Sequence, residues 1–138
     1  MGLKLLITRN GKVLYEVPLA TEDWPREELS RELPDTDSEF KALTELFNAF
    51  GNETRLKMMK KFLEDERHIR NFAEFMDSMD LNPKIIRENT RRLKETGLVT
   101  QPARGEYQIS EVGCASFLAA SIGLMKLLEI IKKEMEVK

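Results

Sequence analysis

The chain holds one cysteine, Cys114, and one histidine, His68. A single cysteine excludes any intrachain disulfide framework and fits a reducing cytoplasm, so a cytoplasmic protein is expected. One thiolate and one distant imidazole cannot supply the three or four ligands of a transition-metal site, so no metal is expected. His68 lies in the charged run "DERHIR" with no nucleophile placed beside it, and reads as a surface residue. There is no Gly-rich phosphate loop, dinucleotide fingerprint, zinc-protease motif or plausible triad, so neither an enzyme nor a cofactor is expected. Met1 leads straight into a strand-like run, so no signal peptide is expected. Glutamine occurs only at Gln101 and Gln108 while Lys and Glu abound, a balance that leans toward a heat-adapted source. Long hydrophobic runs are also scarce. The strongest, "CASFLAASIGLM", is 12 residues long before Lys126 interrupts it. A membrane span needs roughly 20, so a buried or dimer-forming helix is expected and a membrane is not.

Hydrophobic residues at 41% and charged residues at 33% describe a globular chain rather than a disordered one. The net charge is only −2, but it is unevenly spread. Residues 1–38 carry 5 basic and 8 acidic side chains, whereas residues 80–104 carry 6 basic and 3 acidic. A small total therefore hides a local basic face, the footprint of a nucleic-acid binder.

The chain opens with "LKLLIT", "RNGK" and "VLYEVPL". Asn10-Gly11 between two apolar runs predicts a hairpin over residues 1–19 with a type I′ turn. Both faces are partly apolar and a lone hairpin is marginal in water, so it is expected to pack at a dimer interface or on the last helix. Residues 20–37 read as an acidic connector. Pro25 and Pro34 bracket at most a short helix there, and Trp24 is expected to anchor the connector to the core.

From Ser38 the pattern is helical. Phe40, Leu43, Phe47 and Phe50 recur as one buried face would, and Gly51 suits a left-handed stop. Asn52 is placed to cap a second helix with Leu56, Met59, Phe62 and Leu63 inward. A third short helix carries Ile69, Phe72, Ala73 and Met76. Met58, Met59, Met76, Met79 and Met125 read as core filler.

In "LNPKIIRENTRRLKETGLV", Asn82 is a good N-cap and Pro83 fits the first helical position. Leu81 and Ile86 suit a hydrophobic staple, and Gly97 with Leu98 folding on Leu93 suits a Schellman stop. With Ile85, Ile86, Asn89 and Leu93 inward, Lys84, Arg87, Glu88 and Arg91 turn outward. Two short strands follow around "PARGE", with Arg104 at their tip. Ser110 is expected to cap a last helix reaching about Val137. Cys114 opens it as a small core residue. Phe117, Leu124 and Ile131 are seven apart, and Ala120, Leu127 and Leu128 widen the same stripe. That helix is on the order of 40 Å long, more than a small core needs, so it is read as dimer-forming.

"LFNAFGNETRLKMMKKFLEDE", "NTRRLKETGLV" and "YQISEVG" together resemble the winged helix-turn-helix regulators of the ArsR type, over roughly residues 38–120. The resemblance implies a mainly α fold with a small β component: a winged helix-turn-helix domain at 38–110 and a dimerisation helix at 111–138. It implies a homodimeric, sequence-specific regulator of double-stranded DNA, with recognition helix 83–96 in the major groove and wing 98–110 on the backbone or minor groove. Arg87 is then the first choice for reading a base and Lys84 the second. Arg91, Arg92 and Lys94 would grip phosphate, and Arg104 would reach the minor groove or backbone. By the same resemblance Arg55 is a structural arginine expected in an ion pair. Thr90 departs from the pattern, which places a buried leucine there, and the hairpin lies outside it. Metal-sensing members carry paired cysteines or His/Asp clusters that this chain lacks. No effector can be named. The alternative is a winged-helix module that binds protein and not DNA, favoured if Glu88, Glu95 and Glu106 break the continuous strip expected of Lys84, Arg87, Arg91 and Arg104.

Overall fold

The computed structural model describes residues 2–137. The fold is mixed, 61% helical with 19% strand, which fits a mainly α chain with a small β part. The chain divides into two compact units, one ending at Ala42 and one beginning at Leu43.

In the first unit, β1 (Lys4–Arg9) and β2 (Lys12–Pro18) form an antiparallel hairpin. Asn10 and Gly11 have φ of 51° and 82°, the pair of positive values a type I′ turn requires. A bulge then shifts the register, leaving Leu14 extra between the pairs Ile7–Tyr15 and Thr8–Val13. A 3-10 turn (Thr21–Asp23) leads to α1 (Arg26–Glu32). Trp24 donates its indole N–H to the Pro18 carbonyl at 2.8 Å, so it ties the connector to the hairpin. Tyr15, Trp24 and Glu32 line one cleft of this unit, and the Tyr15 phenol pKa is raised, first by a hydrogen bond to Glu32.

The unit boundary falls inside α2 (Asp37–Phe50), which starts one residue before Ser38. Thr36 and Glu39 exchange bonds as a capping box there. The inward face of α2 differs from the expected one. Ala49 is buried, with Leu46 and Phe50 packed beside it, whereas Phe40, Leu43 and Phe47 are exposed, Phe47 by 64%. The three- and four-residue spacing that singled them out marks an apolar stripe, and a stripe does not itself say what covers it. Gly51 does not take the left-handed conformation. Its reason is space: a Cβ there would lie 2.9 Å from the Phe47 carbonyl oxygen.

The second unit builds its core from α3 (Glu53–Glu64), α4 (Phe72–Met79), α5 (Pro83–Glu95) and a three-stranded sheet. Met58, Met59, Phe62, Phe75, Ile86 and Leu93 are fully buried, and the Phe62 and Phe75 rings meet edge to face at 5.2 Å. Leu56, expected inside, is exposed, and Met58 takes the inward place.

The sheet runs β3 (Ile69–Asn71), β5 (Glu106–Ile109), β4 (Val99–Ala103), all antiparallel. β3 corrects the expected helix through Ile69. His68, at φ 57°, turns the chain, and Asn71 caps α4 with Glu74 in a capping box. The helix therefore begins at Phe72, and the residues before it are free to pair with β5. After β5, Ser110 caps α6 (Glu111–Leu118), which continues through a π-turn (Ala119–Leu124) into α7 (Met125–Val137). Gly113 permits that start, because a Cβ there would collide with the Leu98 carbonyl. The run Glu111–Glu136 is long and apolar enough to cross a membrane by length and composition; an 18-residue stretch within it has mean hydropathy 1.8, with 6% of that stretch buried.

Candidate nucleic-acid interface

α5 is fixed at both ends by its own sequence. Asn82 Oδ1 accepts the Ile85 amide at 3.0 Å, and Pro83 occupies the first turn, where no N–H is needed. Asp80, at φ 50°, is the left-handed stop of α4, so only three residues separate the two helices. At the far end Gly97 takes φ 77°, its N–H reaches the Lys94 carbonyl, and the Leu98 N–H reaches the Leu93 carbonyl at 3.0 Å. Those are the two bonds of a Schellman motif.

The inward side of α5 is anchored by polar groups as well as apolar ones. Asn89 is 7% exposed; its amide donates to the Ile85 carbonyl and its oxygen accepts from Arg55 Nη1 at 2.9 Å. Arg55 also donates to the Ala49 and Asn48 carbonyls, at 2.8 and 2.7 Å. Arg55 is thus structural, but its partners are carbonyls and an amide in place of the expected carboxylate. Burial and the nearby Arg92 charge lower its pKa. Thr90 is buried where the resemblance calls for leucine. Its hydroxyl lies 2.8 Å from the Ile86 carbonyl, to which it donates, and 3.1 Å from that of Arg87, so the polar group costs little.

The outward side carries the basic residues. Lys84, Arg87, Arg91 and Lys94 are all exposed. At 3.6 residues per turn they fall within about 80° of arc. Glu88 and Glu95 lie on the adjacent arc, and Arg92 lies beyond them in a cleft lined by Glu45, Asn48 and Glu95. The structure therefore separates Arg92 and Glu88 from the four-residue strip. Arg104 sits exposed in the turn between β4 and β5, beside Gly105 at φ 78°.

Between the strip and the sheet is a shallow cavity of about 150 Å³ lined by Arg87, Thr90, Arg91, Lys94, Gln101 and Tyr107. Lys94 Nζ donates to Gln101 Oε1 at 3.0 Å. The Arg87 guanidinium lies over the Phe72 ring, 5.3 Å from its centroid, within cation–π range. Sequence reasoning missed Gln101, Tyr107 and Phe72 at this surface. For Gln101 and Tyr107 the available signal was that two strands directly after a basic helix fold back beside it; Phe72, at the start of α4, had no such signal.

The stripe read as dimer-forming divides. Phe117 is 8% exposed and packs against Phe50, so it belongs to the chain's own core. Ala120, Leu127 and Ile131 are half-buried, while Leu124 and Leu128 are exposed. Leu118, Ile122, Met125 and Ile130 are also exposed. An apolar cleft of about 480 Å³ runs between α3 and the C-terminal helix, lined by Phe50, Leu56, Phe117, Ala120 and Met125 with Lys57 and Lys60 at its rim.

The chain matches no protein-family model and no curated protein sequence.

Proposed function

We propose that the protein is a homodimeric, sequence-specific DNA-binding transcriptional regulator with a winged helix-turn-helix domain of the ArsR type. One observation carries the reading. Lys84, Arg87, Arg91 and Lys94 form an uninterrupted exposed strip on a helix whose opposite side is locked into the core. A helix of this kind fits the major groove, led by its N-terminal half, where Lys84 and Arg87 lie. A guanidinium bonds guanine O6 and N7 together, so Arg87 is the base reader; Arg91 and Lys94 bind phosphate. The β4–β5 hairpin is the wing, with Arg104 on the backbone or in the minor groove. Arg92 is the weakest member of the contact set, because it faces a different cleft.

The C-terminal helix serves as the dimer contact in this reading. Its first turns are not available to lipid, since Gly113 rests on the Leu98 carbonyl and Phe117 is buried. What emerges beyond Phe117 carries Lys126 and Glu129 in its middle, 3.6 Å apart. Fourteen residues from Leu118 to Ile131 rise about 21 Å, short of the roughly 30 Å of a hydrocarbon core. A second copy is the better cover for that apolar surface.

Titration of genomic DNA fragments over a salt series tests the reading. Affinity should fall steeply with salt, and Arg91→Ala should reduce the log–log slope by about 1. Binding without salt dependence, or Arg87→Ala and Arg91→Ala variants that bind like the parent, would sink it in favour of a protein-binding winged helix.

A further inference from the structure

The first unit contains a strand edge that is open, regular and apolar. Among the described residues up to Ala42 none is buried, and Leu5, Leu6, Ile7, Val13, Leu14 and Tyr15 are 39–50% exposed. A two-stranded sheet left in this state is marginal in water; three or more strands with an apolar face are the usual minimum.

The two outer edges of the hairpin are not alike. The Leu19 N–H donates to the Leu3 carbonyl, and Arg9 and Lys12 flank the two-residue turn. Alternation along an antiparallel ladder then aims the backbone groups of Leu3, Leu5, Ile7 and Arg9 at β2. Those of Lys4, Leu6 and Thr8 point the other way, and among the described residues the sheet has no further strand on that side. The outer edge of β2 is blunted twice, by the bulge at Leu14 and by Pro18, which has no N–H. Bulges and prolines are the usual protection of an edge against pairing. β1 has neither.

We propose that β1 is a docking edge for a second copy of this chain. Two β1 strands pair antiparallel about a two-fold axis at Leu6, and the result is a four-stranded sheet in the order β2, β1, β1, β2. Leu6 faces Leu6 of the second copy, Leu5 faces Ile7, and Lys4 faces Thr8. This register engages all three outward residues of both strands. A register centred on Leu5 or on Ile7 leaves one of the three without a strand partner. One centred between Leu6 and Ile7 sets Lys4 against Arg9, a like-charge pair, and sets outward backbone groups against inward ones. The Lys4 charge is already answered within the chain by Glu16 at 3.6 Å. The strand is therefore complementary to itself in one register, which is what an isologous interface requires. This contact adds to the homodimer reading and is independent of DNA binding.

The test uses the full chain with Cys114→Ser and single cysteines in β1, under mild oxidation without DNA. Leu6→Cys should give a disulfide-linked dimer, because the two Cα atoms fall within bridging distance. Thr8→Cys alone should not, since the two thiols lie on the order of 13 Å apart along the strand. Lys4→Cys mixed with Thr8→Cys should cross-link to one another and neither to itself. Failure of Leu6→Cys to cross-link in a folded, dimeric protein overturns the proposal, as does equal self-linking by Thr8→Cys. Cross-linking in a protein that binds no DNA supports this contact and sinks the DNA reading alone.

Discussion

Arg55 Nη1 donates to Asn89 Oδ1 at 2.9 Å, joining the first turn of α3 to the middle of α5. The same guanidinium holds the Asn48 and Ala49 carbonyls at the end of α2, so one side chain sets three helices against each other. A lysine cannot reproduce this fork. Asn89→Ala removes an acceptor from Arg55 and the bond to the Ile85 carbonyl, and should cost about 1–3 kcal/mol in denaturant unfolding. Arg55→Lys should move stability the same way. A stability unchanged by both would mean that the network is incidental.

The strip on α5 is held partly from below. Arg87 lies over Phe72 at the first position of α4, and such a contact is worth about 0.5–1 kcal/mol at an exposed site. On the proposed reading, in which Arg87 contacts a base, this contact pre-positions its guanidinium, and Phe72→Leu should weaken specific binding by about two- to fivefold, which is that energy expressed as a ratio. Arg87→Lys should lose more, because the bidentate geometry is gone. Competition between the best site and random DNA measures both. Equal loss on the two DNAs for Arg87→Lys would reassign Arg87 to phosphate.

Local signals carried most of the second unit. The Asn82 cap, Pro83, the Gly97 stop and the Ser110 cap are short-range chemistry, and each sits where its residues required. β3 was illegible because three residues give no period; only the Asn71–Glu74 box marked where the helix had to begin. The stripe on α2 was misread for a different reason. Spacing shows that Phe40, Leu43 and Phe47 share a side, but burial depends on what lies opposite. The Arg55–Asn89 bond spans 34 residues, and no spacing rule reaches that far. The candidate strip was legible residue by residue, and the helical period alone already sets Arg92 beyond the glutamates; only the cleft it faces needed three dimensions.

Two glycines in one helix should respond in opposite directions. A Cβ at Gly113 collides with the Leu98 carbonyl, which accepts the Ser110 N–H at the start of α6. That neighbour is backbone and cannot swing away. Gly113→Ala should therefore destabilise by about 1–3 kcal/mol, the range for overpacking, and lower the melting temperature. Gly123 has nothing within 4 Å of its missing Cβ and lies in helical conformation. Gly123→Ala should be neutral or stabilising by about 0.5–1 kcal/mol. Paired thermal melts decide the matter, and a destabilised Gly123→Ala would mean that the π-turn needs its glycine.

The exposed C-terminal helix makes the sharpest prediction about assembly. Leu124 is 49% exposed and Leu128 39%, so a carboxylate at either position meets water in the monomer and costs its fold little. In a dimer built on that helix the same carboxylates would be buried against their symmetry mates, where unpaired charge is expensive. Leu124→Glu with Leu128→Glu should weaken self-association by at least about tenfold, or 1.4 kcal/mol, in sedimentation equilibrium. The melting temperature extrapolated to low concentration should stay near that of the parent monomer. Affinity for a two-half-site DNA should fall with the dimer, while affinity for one half-site should not. Self-association undiminished by both carboxylates would move the dimer contact off this helix. Recovery of the parent chain with lipid vesicles, lost in the double variant, would assign the helix to a membrane surface instead.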